Sequence, residues 1–113
     1  MRVEIPIRTW SEPNMRGHWA KRARRASKQR RAARALTRVA LAVHGPVCPP
    51  LTITLTRLAA RKLDSDNLAS ALKAVRDGVA DALRMDDGDE RLTWRYAQER
   101  IPRGHYAVRV EVS

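Results

Sequence analysis

Between Pro13 and Leu63 the chain carries no Asp and no Glu, and the middle of that stretch, His18 to Val43, is mostly Ala, Arg, Lys and Leu. These are strong helix formers, so the segment is expected to fold as one helix, about 39 Å long if helical throughout. Trp19, Ala23, Ala26, Ala33, Leu36, Ala40 and Val43 share one helical face. Lys21, Arg24, Arg25, Lys28, Arg31, Arg34 and Arg38 cover most of the rest. The apolar stripe is thin and Ala-rich at its start and bulkier towards Leu36. The N-terminal half is therefore expected to pack less tightly and to order fully only on a nucleic acid. Trp19 has two readings, an anchor for this helix or a contact to a base, and anchoring is the expectation.

Around this helix the alternation of residues reads as strands. Val3, Ile5 and Ile7 alternate with polar residues from Arg2 to Arg8, and Pro6 implies an edge position or an early strand end. Ser11-Glu12-Pro13-Asn14 is a turn cluster, and Gly17 breaks the chain before the helix. Gly45-Pro46 and Pro49-Pro50 end the helix, after which Leu51, Ile53 and Leu55 alternate with threonines in a half-buried strand. A second helix is expected from about Asn67 to Arg84, burying Leu68, Leu72, Val75, Val79 and Leu83. Leu92, Trp94 and Tyr96 give a third strand, and Tyr106, Val108, Val110 and Val112 a fourth, the last two expected as an antiparallel hairpin. Trp94 and Tyr96 read as core or dimer surface. The order is β-α-β-α-β-β: an α/β domain over residues 1–113, a mixed sheet packed with two helices.

Composition narrows the class. A chain of 113 residues supports one modest core, and the 43% hydrophobic content is that of a globular domain. The absence of a long apolar run predicts no membrane span, and the N-terminus lacks a signal-like apolar region. Cys48 is the single cysteine, which leaves no internal disulfide or multi-cysteine zinc site and favours a reducing, cytoplasmic setting. His18, His44 and His105 show no ligand spacing.

The net charge of +11 is unevenly spread: eight of the twelve acidic residues fall between Asp64 and Glu90. Such polarity suggests one surface for polyanions and another that needs negative charge. Arg24, Arg25, Lys28 and Arg31 on the first helix, with Arg61 and Lys62, are the candidate phosphate-gripping residues. A solvated basic helix or adhesion to an anionic membrane would account for the same cations.

Asp64-Ser65-Asp66-Asn67 ends a strand and opens a helix, and Asp86-Asp87-Gly88-Asp89-Glu90 follows that helix. Asp64 and Asp66, two apart in extended backbone, point the same way and can share a hard cation such as Mg²⁺. A third carboxylate from Asp87 would complete the protein ligands for phosphodiester hydrolysis. A helix of about 17 residues, roughly 25 Å, separates the clusters, so convergence needs one cluster to leave its element early, a strand returning antiparallel beside the first, or a dimer. The other reading is local: Asp66 or Asn67 caps the helix, and Asp86 to Glu90 is an exposed turn around Gly88.

Three blocks carry a resemblance: Asp64-Ser65-Asp66-Asn67-Leu68, Lys73-Ala74-Val75-Arg76-Asp77 and Met85-Asp86-Asp87. In this order, with Arg61-Lys62 ahead of them and Pro13-Asn14 before the basic helix, the chain resembles the RusA family of Holliday junction resolvases. The resemblance covers nearly the whole chain. It implies a Mg²⁺-dependent homodimer, with Mn²⁺ as an alternative metal, that nicks opposed strands of a four-way DNA junction. It further implies Asp64, Asp66 and Asp87 as metal-binding catalytic carboxylates and Lys73 as the active-site lysine. One departure stands: the family's lysine position is held here by Ser70, and Lys73 lies a turn further on, where it can also pair with Asp77. The competing function is a non-catalytic basic DNA- or RNA-binding protein.

Overall fold

The computed structural model describes residues 1–11 and 18–113. Its elements are β1 (Arg2–Ile5), α1 (Trp19–His44), β2 (Leu51–Ala59), α2 (Ser65–Ala71), α3 (Lys73–Leu83), β3 (Leu92–Arg100) and β4 (Ala107–Val112). The four strands form one mixed sheet in the order β1-β4-β2-β3, so the fold is α/β as expected. Apart from Ser11, the turn expected at Ser11–Asn14 lies outside the described residues, as do Gly17 and the Pro13-Asn14 pair.

Alternation decides which sheet face is covered. Ile5, Leu51, Ile53, Leu55, Val108, Val110 and Val112 are buried, with Val3, Trp94 and Tyr96 packed against them. The register sets these residues opposite one another, Ile53 between Trp94 and Val112 and Leu55 between Tyr96 and Val110. Leu68, Leu72, Val75, Val79 and Ala33 join the same core from the helices. The other sheet face carries Thr52, Thr54, Arg95, Arg109 and Glu111, polar side chains suited to solvent. β1 is an edge strand and stops at Ile5, in keeping with Pro6, which has no N–H to donate.

The expected β3–β4 hairpin does not form. β3 pairs in parallel with β2, and β4 lies on β2's other side, antiparallel to both β2 and β1. The segment from Ile101 to Tyr106, roughly 20 Å when extended, is long enough to step over one strand. It crosses the C-terminal end of β2, where the Ile101 N–H donates to the Ala59 carbonyl at 3.1 Å. β2, α2–α3 and β3 therefore make a parallel crossover unit, not the antiparallel return expected from the sequence.

The helices also differ in detail. The single second helix is two, separated at Leu72 (φ −97°, ψ 1°), which is fully buried. The bend lets Leu68 and Val75 both reach the sheet while α3 docks on α1. That docking is close: a Cβ on Gly78 would lie 2.7 Å from the Ala33 Cβ and closer still to the Arg30 carbonyl oxygen. Glycine is required there by proximity, not by backbone angle. On α1 the buried residues are Gln29, Ala33 and Thr37, one stripe at i, i+4 and i+8. Trp19 and Val43, expected on the buried face, are 68% and 85% exposed, so Trp19 does not anchor the helix. The core reaches only the middle of α1, because β1 and α3 are shorter than it. Among the described residues, no helix is long and apolar enough to cross a membrane.

Candidate metal and nucleic-acid site

Asp64 is the N-cap of α2 by backbone position, with extended dihedrals, but its side chain makes no capping bond. Asp66 sits in the first helical turn, where the helix dipole favours a carboxylate. Both are exposed, and neither carboxylate bonds to a described residue. The local reading of Asp66 or Asn67 as the cap is thus not what the structure shows. The approach to this turn is held from β3: the Gln98 amide accepts from the Leu63 N–H at 2.8 Å and donates to the Leu63 carbonyl at 2.7 Å. Two antiparallel bonds to one residue fix where the chain leaves β2 for α2.

Asp87 stands in a different environment. Arg84 ends α3 in the left-handed region (φ 57°, ψ 41°), and the chain reverses. The return brings the Asp87 carboxylate to Lys73 Nζ (2.8 Å) and Arg76 Nε (3.0 Å). Arg76 also donates to the Asp87 carbonyl (3.0 Å) and the Tyr96 hydroxyl (2.8 Å), and its guanidinium lies 4.8 Å from the Trp94 ring centre. The Trp94 indole N–H donates to the same Asp87 carbonyl at 2.8 Å. Hydrogen bonding from Lys73, together with the charges of Lys73 and Arg76, holds the Asp87 carboxyl below the usual carboxylate range. Lys73 is shared: bonds to Asp77 (2.7 Å) and then Asp87 raise its pKa.

The neighbours of Asp87 do local work. The Asp86 carboxylate accepts from the Gly88 N–H at 2.8 Å, and Asp89 accepts from both the backbone and side chain of Arg91. The Arg91 bonds pull the Asp89 pKa down to about 2. The exposed-turn reading of this block therefore holds for Asp86 and Asp89, while Asp87 is clamped inward.

The three proposed ligands are not gathered. Asp87 is held beside Lys73 and Asp77 just ahead of β3, whose start pairs with the start of β2, whereas Asp64 and Asp66 follow the end of β2, so the length of that strand lies between them. Among the described residues, no group of three His, Cys, Asp or Glu side chains is placed to hold a metal ion. The convergence expected from an antiparallel return is absent because β3 is parallel to β2 and starts at the far end of the sheet. Asp64 and Asp66, expected to point the same way from extended backbone, instead straddle the start of α2, where Ser65 and Asp66 are already helical, so that reason for a shared direction does not hold. What remains for a hard divalent ion is two exposed carboxylates with water access; such an ion commonly takes one or two carboxylates and fills its remaining positions with water.

The cations divide in the same manner. Arg24, Lys28 and Arg31 are exposed on α1, and Arg61 and Lys62 are exposed in the β2–α2 connection. Arg25 is turned towards the segment after β1, 5.3 Å from the Trp10 ring centre. Arg30 is structural, making two bonds of 2.8 and 3.0 Å to Asp81 of α3. Between the basic start of α1 and the α2–α3 bend runs a groove of about 460 Å³, with Arg22 on one wall and Ser70 and Lys73 on the other. Sequence reasoning missed two organising residues, Arg76 and Gln98. Arg76 follows the core residue Val75 in Lys73–Asp77, but periodicity alone does not show what a flanking cation touches. Comparison with family models, curated proteins and solved structures finds no match to this chain.

Proposed function

We propose that this protein is a Mg²⁺-dependent endonuclease of branched DNA that nicks four-way junctions in recombination or repair, working as a homodimer in the cytoplasm. The observation that carries the reading is the contrast at the start of α2: in a chain of net charge +11, Asp64 and Asp66 stand exposed and unpaired directly after Arg61 and Lys62. Two free carboxylates beside a phosphate-gripping surface are unfavourable for simple DNA binding, since they repel the backbone unless a cation neutralises them. The order of the three sequence blocks supports the junction-resolving class, and a pair of subunits suits paired incisions.

In this reading Asp64 and Asp66 would hold Mg²⁺, or Mn²⁺ in its place, which supplies an activated water and neutralises charge on the phosphate. Gln98 keeps the Leu63–Asp64 turn in position. Lys73 is a candidate phosphate contact across the groove from Arg22, for which its exposed ammonium must leave Asp77 and Asp87. Asp87 stands at the other end of the crossover unit, so it would join Asp64 and Asp66 only across the homodimer and only by leaving Lys73 and Arg76.

A second reading, a non-catalytic DNA- or RNA-binding protein, is favoured by one observation: Asp87 is neutralised by two cations instead of joining the other carboxylates. A labelled four-way junction incubated with Mg²⁺ separates the two. Endonuclease action gives symmetric nicks that require the metal and fall on the order of 100-fold in Asp66→Asn, while junction binding is retained. Tight binding with no metal-dependent cleavage of any branched substrate assigns the binding role instead. Cleavage by Asp66→Asn at the wild-type rate removes this carboxylate from the site.

A further inference from the structure

Where the β3–β4 connection steps over β2, it leaves a cleft of about 660 Å³, walled by the segment after β1, the end of β2 and the connection itself. Arg8, Arg57, Arg61, Arg103 and His105 line it, and no Asp or Glu does among the described residues. Arg57 is the unusual member. It occupies the inward register of β2 after Leu51, Ile53 and Leu55, and only 9% of it is exposed. Its Nε donates to Thr9 Oγ1 (3.0 Å), Nη1 to the Arg61 carbonyl (2.6 Å) and Nη2 to the Thr9 carbonyl (3.4 Å). All three acceptors are neutral, so among the described residues the charge has no counter-ion there, and two of the five guanidinium N–H groups have no described partner. A buried cation held this way is costly unless an anion completes it. Burial and the nearby charge of Arg8 act in that direction, lowering the Arg57 pKa.

Arg8 is arranged for the same ligand. Its guanidinium carbon lies 5.1 Å from the Trp10 ring centre and 5.3 Å from that of Tyr106. These ring contacts use none of the guanidinium N–H groups in a hydrogen bond to a described residue, which leaves them for an oxyanion. The cleft has room for a nucleotide and not only for a small ion, and Leu63 on its wall directly precedes Asp64.

We propose that this cleft seats a phosphate group of a DNA strand, held by Arg57 and Arg8 with Arg103 closing over it, and so anchors the strand beside the Asp64–Asp66 turn. The proposal rests on the nucleic-acid-binding part of the reading above and is independent of cleavage.

The test is binding of a labelled single-stranded oligonucleotide across a salt series, in 5′-phosphorylated and 5′-hydroxyl forms, to wild type, Arg57→Gln and Arg103→Ala. Arg103 is on an exposed turn, so its variant keeps the test open if Arg57→Gln fails to fold. Each variant is expected to lose about tenfold in affinity and to lower the slope of log K against log salt by about 0.7 per lost contact. Thymidine 5′-monophosphate should shift the amide resonances of Arg103 to Tyr106 in wild type and in neither variant. Tighter binding of the 5′-phosphorylated form identifies a strand end as the occupant, and equal binding identifies a backbone phosphate. Wild-type affinity and slope in the folded variants, with no resonance shift from the nucleotide, overturn the seat while leaving DNA binding intact. Failure of the wild type to bind DNA at all overturns both.

Discussion

Asp64–Asp66 and Asp87 have the same chemistry and lie in the two loops of one crossover unit, at opposite ends of its strands, and the fold treats them oppositely. Asp87 is tied to Lys73 and Arg76, and its backbone carbonyl to Arg76 and Trp94. The Asp64 and Asp66 carboxylates bond to no described residue, and the chain leading into their turn is held through the backbone of Arg61 and Leu63. A carboxylate already neutralised by two cations contributes to stability and repels phosphate little. An unpaired carboxylate contributes little to stability and leaves its lone pairs available. Pairing, more than acidity, therefore distinguishes a structural carboxylate from one available for ligation.

The largest expected effect lies on the paired side. Arg76→Ala removes the donors to the Asp87 carboxylate and carbonyl and to the Tyr96 hydroxyl, along with the stacking on Trp94. We expect a loss of about 2–3 kcal/mol in urea unfolding, because several partly buried acceptors lose their partner together. A loss below about 0.5 kcal/mol would show that the Asp87 clamp holds nothing, and the contrast would collapse.

Asp87→Asn should cost less, about 1 kcal/mol near neutral pH, since Lys73 keeps Asp77 and Arg76 keeps Tyr96. Its pH dependence is the sharper measurement. Asp87 is depressed, so its contribution is full above the unfolded value of about 3.9 and disappears as pH falls through the lower folded pKa. Lys73 is raised, so its contribution is full below about 10.4 and disappears as pH rises through the higher folded pKa. The difference between wild type and Asp87→Asn should hold between about pH 5 and 9 and close in acid, below about pH 4. A difference that persists in strong acid would assign the effect to packing and not to the ion pairs.

Much of this arrangement was legible in the sequence, for identifiable reasons. The alternation around Ile53 and Val110 sets which sheet face is covered, and the Ala-rich run from His18 sets α1 to within a residue at each end. Strand neighbours were not legible: Leu92 to Tyr96 alternates whether β3 pairs with β2 or with β4. That choice moved Asp87 away from Asp64. Two signals stood in plain view. Gly78 interrupts a helix of good formers, as a glycine does where another backbone comes close. Arg57 continues the inward register of Leu51, Ile53 and Leu55, and a charge at a core position points to a buried site. The bend at Leu72 left no trace, since neither Pro nor Gly marks it.

The smallest stability effect should come from the unpaired side. Asp64→Asn and Asp66→Asn remove no hydrogen bond or ion pair to a described residue, and only the favourable placement of Asp66 on the α2 dipole is lost. Each should change unfolding stability by no more than about 0.5 kcal/mol. Added Mg²⁺ then asks whether the two regions are one site. If Asp64 and Asp66 bind it alone, millimolar Mg²⁺ shifts the amide resonances of Ser65 to Leu68 in wild type and in Asp87→Asn, and in neither Asp64→Asn nor Asp66→Asn. If Asp87→Asn abolishes the response as fully as Asp66→Asn does, the metal draws Asp87 off Lys73 and Arg76 and assembles the three-carboxylate site between two subunits, since one chain holds the two loops at opposite ends of its strands. The exposed Lys73–Asp87 bond is weak enough for that exchange, but the Arg76 clamp is not. Such a result would therefore also require Arg76 to release the Asp87 loop, and Arg76→Ala should then bind Mg²⁺ more tightly than wild type despite being less stable.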